Sequence, residues 1–334
     1  MKTSMQRVSH RALRGVLAVL WTGIAVLAQA QTSNRLSDPG EAKPSRWQAE
    51  YDRFDDQVRL RLLSVSDARS HYVAGRLDRL DIESAVRHFA AARVMAPQEK
   101  LYLAALAAAC VQPVQPTLPD CDAVDRLADW ARRDDDNGMP MLWLADHARK
   151  RGDKEATIAY IEQAAAAPRF DEYGSRGMVE FWDYVQRVQI DADPAVKTIF
   201  ALGNGAMQPF GGYAERTCIE PVERSDSLRA ACSRLGATMA GRGSSLRTRS
   251  LGFAILERNA ADAASVRDAQ TRRAAFNVFR TRCAEALDAR GALESADAAV
   301  RARFIREAEL WVRNQAAVGE AAACARGSGA PAPP

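Results

Sequence analysis

The chain has 334 residues, 47% of them hydrophobic and 26% charged, and carries 46 Lys plus Arg against 42 Asp plus Glu. That length buries a sizeable core, as one elongated or two compact domains. Beyond residue 30 no stretch approaches the roughly 20 apolar residues of a membrane span.

At the N-terminus, Lys2, Arg7, Arg11 and Arg14 precede an apolar run over 16–28 that ends in Ala28-Gln29-Ala30. A basic start, a short apolar core and small residues at its end make a cleaved secretory signal, with the cut after Ala30. This predicts a periplasmic or secreted protein. Removing the signal leaves 42 basic against 42 acidic residues, so no basic excess argues for a nucleic-acid partner. Residues 31–45 read as a disordered linker.

From there the composition is helical, rich in Ala, Leu, Arg and Asp and almost without two-residue alternation. The spacing of Val58, Leu62, Val65, Tyr72, Val73 and Leu80 predicts a helix over 58–80, broken near Gly75. Asp81 opens the next, over 82–95, which Pro97 stops. Further helices are expected at 101–110, 122–133, 140–150 and 154–167, with a proline-rich loop over 111–120. A helix over 179–200 is broken at Asp193-Pro194, and Gly203, Gly205, Gly211 and Gly212 mark a loop-rich connection over 201–225. Helices then recur at 227–240, with Ser225 or Asp226 as cap, and at 245–258, 263–289 and 295–318. A Gly/Ala/Pro tail from 326 closes the chain.

Ala85, Phe89 and Pro97 are echoed 71 residues on by Ala156, Tyr160 and Pro168. A small residue at a helix crossing, an aromatic one turn later and a terminating proline suit stacked hairpins. In these residues, over about 55–170, the chain resembles the tetratricopeptide family, with Gly152-Asp153 in the place of its inter-helix turn. The early Trp and Gly of that family's first helix are poorly placed here. The resemblance implies an all-α fold of antiparallel hairpins stacked as a short α-solenoid over 46–200, followed by a second helical bundle half over 226–325. The chain is also similar in style to secreted helical proteins of Gram-negative bacteria, which implies no activity.

All six cysteines follow the signal, and an even number in an oxidising compartment predicts disulfides. Cys110 ends one helix and Cys121 begins the next, so a clip between them is expected. Short closure favours Cys218 with Cys232 and leaves Cys283 with Cys324. In a straight hairpin the last two would stand roughly 38 Å apart at 1.5 Å per residue. That pairing therefore requires the last helix to break near Gly319; otherwise Cys218 pairs with Cys324.

Chemistry is sparse. His71, His88 and His147 sit in no zinc or nucleophile pattern, and no phosphate loop or dinucleotide fingerprint occurs. Asp134-Asp135-Asp136-Asn137-Gly138 is a solvated turn rather than a calcium loop, because Leu144 stands where the bidentate Glu is needed. Gly205-Ala206-Met207-Gln208-Pro209 is similar to a fragment of the lytic transglycosylase signature. That reaction needs a Glu followed by Ser just upstream, whereas Glu180 is followed by Phe181 and is too far away. No cofactor, metal ligand or catalytic residue is assigned. Aromatics gather between the halves, and Trp182 and Tyr173 are the candidate contacts for a partner. The expected function is binding of an envelope protein or peptide as an adaptor or scaffold. The alternative is an envelope enzyme acting on peptidoglycan or another wall polymer, for which a deep cleft with a raised-pKa carboxylate would be the mark.

Overall fold

A computed structural model describes residues 46–64, 66–78, 81–111, 121–206, 213–220, 225–285, 295 and 297–328. The segments expected as an export signal and a linker, the proline-rich stretch over 112–120, Met207-Gln208-Pro209 and the residues from 329 on lie outside the described residues. Among the described residues there are fifteen helices, and only two isolated bridges, Asn137 with Arg169 and Phe170 with Gly243, stand in for β-structure. The fold is all-α.

The elements are α1 (Arg46–Leu62), α2 (Ala68–Leu77), α3 (Ile82–Met95), α4 (Lys100–Cys110), α5 (Ala123–Arg133), α6 (Met139–Lys150) and α7 (Lys154–Ala166). After them come α8 (Gly174–Arg187), α9 (Pro194–Ala206), α10 (Tyr213–Cys218), α11 (Asp226–Arg242), α12 (Leu246–Asn259), α13 (Ala263–Glu285), α14 (Ala298–Val318) and α15 (Glu320–Ser328). Many begin where a short polar side chain accepts the amide three residues on, which satisfies a donor the helix cannot. Asp67, Asp81, Asp122, Asp153, Ser225 and Ser245 do this.

Two breaks differ from the sequence expectation. The helix expected over 58–80 parts before Asp67, whose carboxylate takes the Ser70 amide at 3.1 Å and starts α2. Gly75 lies inside α2, and a Cβ there would stand 2.7 Å from the Phe89 ring. It is a point of close approach between α2 and α3, not a break. The second break is wider than expected, because α8 ends at Arg187 and the chain runs without helix over 188–193 before Pro194.

Each helix from α2 to α7 packs on the next, α7 packs on α11, and α11, α12 and α13 continue in turn. The helices α8, α9 and α14 pack on one another, α9 reaches α1, and α8 reaches α2. Leu101 to Cys110 of α4 are all buried, as an apolar helix with neighbours all round must be. One core runs from Phe54 through Trp130, Trp182 and Phe200 to Val312, and a smaller one joins Phe253, Phe276 and Phe279 to Cys324. Each such side chain contributes about 1.5–3 kcal/mol by leaving water.

The 71-residue echo is matched in burial only in part. The helix α3 buries Ala85, Val86, Phe89 and Ala92, and α7 buries Thr157, Ile161 and Ala164, so Val86 has a buried counterpart in Thr157 whereas Ala156 and Tyr160 stand one residue off the buried face.

Candidate functional site

The helix α1 turns buried Phe54, Val58 and Leu62 inward and leaves its opposite face in solvent. Along it runs an open groove of about 780 Å³, lined by Glu50, Arg53, Leu60 and Arg61 on one side and by residues 189–193 on the other. The far wall is chain outside any helix. Buried Ile190 anchors it, the Ile190 amide turns back to the Val188 carbonyl at 2.9 Å, and the Asp193 amide donates to Glu50 Oε1 at 2.7 Å. Among the described residues, no hydrogen bond engages the backbone of Gln189, Asp191 or Ala192, and no ion pair engages Arg53 or Arg61. Leu60 is 64% exposed.

A second polar region lies where three connections meet: residues 134–138, 167–173 and 243–245. Asp134 has no exposed surface, and Trp130 Nε1, Asn137 Nδ2 and the Tyr173 hydroxyl donate to its Oδ2 at 3.0, 2.8 and 2.8 Å. Lys100 Nζ at 2.9 Å and Arg169 Nη2 hold its Oδ1. Burial opposes its charge, but the hydrogen bonds from Lys100, Asn137 and Tyr173 outweigh it and keep the carboxyl below its ordinary pKa. Arg169 also grips Asp136 through Nε and Nη2 at 2.9 and 3.0 Å. The turn expected to be solvated is thus buried at Asp134 and Asn137, and it spends its oxygens on cations and on N–H and O–H groups of its own fold. Tyr173 sits here with φ 61°, a left-handed backbone that its hydroxyl bond to Asp134 helps to hold.

Across the same junction, Glu172 Oε1 accepts the Ser245 hydroxyl, and Thr248 Oγ1 donates to Glu172 Oε2 at 2.9 Å. Glu320 Oε2 accepts the Leu246 amide at 2.7 Å. Burial raises the Glu172 carboxyl above its usual value, and burial together with the Glu172 charge lifts Glu320 to about 7. These groups bind one helix end to two loops and are not in the groove.

The histidines of α2 and α3 meet nitrogen to nitrogen, His71 Nδ1 to His88 Nδ1 at 3.0 Å, with ring centroids 5.3 Å apart. Two imidazoles end to end share a proton between their nitrogens and do not converge on a third atom. Burial lowers the His88 pKa, against the pull of the Asp78 charge.

Trp182 and Tyr173, the expected partner contacts, are 1% and 6% exposed. Trp182 fills the core beneath α8, and Tyr173 is tied to Asp134, so neither ring is free for a partner. The residues that line the groove were not singled out by sequence, because Arg and Gln between apolar positions read as an ordinary solvated helix face. The cysteines come together as Cys110 with Cys121, Cys218 with Cys232 and Cys283 with Cys324, their Cα atoms 5.1, 5.6 and 5.5 Å apart. The chain does break at Gly319, whose φ of 80° turns α14 into α15 and brings Cys324 back to α13.

Against known protein families, curated proteins and solved structures, the chain matches none.

Proposed function

We propose that this protein is an adaptor of the cell envelope whose helical hairpins, stacked as a short solenoid of tetratricopeptide-like plan, hold an extended segment of a partner protein in the groove between α1 and residues 188–193. The observation that carries the reading is the unengaged backbone of Gln189, Asp191 and Ala192 along one wall. A peptide laid beside it gains main-chain hydrogen bonds as an added strand does. Arg53 and Arg61 opposite offer two ion-pair donors to acidic side chains or a terminal carboxylate, and Leu60 offers an apolar contact. Three cysteine pairs at disulfide distance fit an oxidising compartment, and no described helix is long and apolar enough to cross a membrane.

The enzyme alternative is less well supported. Of the raised carboxyls, Glu172 and Glu320 are packed against Ser245, Thr248 and the start of α12, where a wall polymer has no seat, and Asp55, raised by burial, is paired with Arg59 at 3.0 Å and does not line the groove. Selection of displayed random peptides on the full chain tests the reading. The selected peptides are expected to carry an acidic residue or a free C-terminus and to lose roughly tenfold or more in affinity, about 1.4 kcal/mol, for the Arg53→Ala, Arg61→Ala double variant. Failure to select any peptide, or equal binding by the variant, overturns it.

A further inference from the structure

Gly319 and Glu320 form the corner between α14 and α15, and the corner is fastened to the loop between α11 and α12. The Glu320 amide donates to the Ser244 carbonyl at 3.0 Å, and Glu320 Oε2 accepts the Leu246 amide at 2.7 Å. Leu246 is the first residue of α12, and its cap Ser245 donates to Glu172. Two carboxyls, brought by two separate segments, therefore share one helix N-terminus. Unpaired amides there favour a negative charge, yet two such charges side by side, one on buried Glu172 and one on partly buried Glu320, repel.

Among the described residues no ion pair reaches Glu320. The charged groups about the corner are Glu172 and Asp171 on the α7–α8 connection and Arg249 on α12, whose Nε is given to the Gly243 carbonyl at 2.9 Å. From α13 comes Cys283, bonded to Cys324 of α15, and from α14 comes the neutral Gln315, whose carbonyl takes the Gly319 amide.

We propose that this corner is a tethered, proton-controlled latch. With Glu320 neutral, α15 stays docked on the α11–α12 loop. With both carboxyls ionised the corner lifts, uncovering the first turn of α12, while the Cys283–Cys324 bond keeps α15 on α13. Burial, the charge of Glu172 and the single N–H from Leu246 together set the Glu320 midpoint at about 7, so the change falls near neutrality.

The test is a carbon-detected NMR titration of glutamate carboxyls in the full chain, with hydrogen exchange at pH 6 and pH 8 corrected for intrinsic rates. The expected result is one carboxyl, absent in Glu320→Gln, titrating near 7. Protection over residues 320–324 should fall roughly tenfold at pH 8 in the wild type and hold in Glu320→Gln. Titration of that carboxyl in the ordinary range, or the same pH response in both proteins, overturns the proposal. Should Glu320→Gln fail to fold, Glu172→Gln serves instead. Loss of its charge is expected to lower the Glu320 midpoint by roughly one pH unit, and an unmoved midpoint overturns the proposal.

Discussion

Asp134 is a heavily engaged side chain, a carboxylate with no exposed surface and five donors on its two oxygens. A buried charge is tolerated only when its lone pairs are filled, and removing one donor leaves a deficit that water cannot reach. Trp130→Phe deletes one donor and is expected to cost about 1.5–3 kcal/mol in urea unfolding. Trp182 is equally buried, but its indole N–H makes no hydrogen bond. Trp182→Phe should therefore cost less, about 1 kcal/mol, from lost packing alone. The His88 pKa is lowered from 6.5. The folded chain thus binds fewer protons at this site than the unfolded one, so the site's contribution to stability is present above 6.5 and is lost as the pH falls. Urea midpoints measured at pH 7.5 and pH 5 should drop further for the wild type than for His88→Gln.

The crossing of α11 on α12 depends on two residues without side chains. A Cβ on Gly252 would stand 2.3 Å from the Ala240 amide nitrogen, and one on Gly236 would stand 2.9 Å from that of Leu256. Backbone cannot yield as a flexible side chain can, so the helices must separate to admit a methyl. Gly252→Ala is expected to cost about 1–3 kcal/mol. Gly241, also on α11, has nothing within 4 Å of its Cβ position. There alanine should stabilise by about 0.5–1 kcal/mol through helix propensity. Thermal unfolding of the two variants gives shifts of opposite sign; equal shifts would show that the crossing is not tight.

Across the whole molecule, one core links helices from both halves, so the regions expected at 46–200 and 226–325 share buried surface. The disulfides constrain this body unequally. The Cys110–Cys121 pair closes 11 residues and Cys283–Cys324 closes 41. Loop entropy makes the longer bond worth about 1 kcal/mol more. The double serine variant at Cys283 and Cys324 is expected to unfold at lower denaturant than that at Cys110 and Cys121.

Much of the local structure was legible in the chain: caps such as Asp81 and Ser225, the stop at Pro97, and the six cysteines with their short closures are signals carried by a few adjacent residues. The sequence by itself determined an all-helical chain, with an even cysteine count and charge balanced beyond residue 30. Only tertiary structure decided the rest. Gly75 reads locally as a break, but the Phe89 ring packed on it makes it a contact; Trp182 and Tyr173 read as surface anchors, but the core buries Trp182 and Asp134 binds Tyr173. The groove and the carboxyl pair at α12 are assembled from segments far apart in the chain, and no local spacing rule encodes how such segments meet.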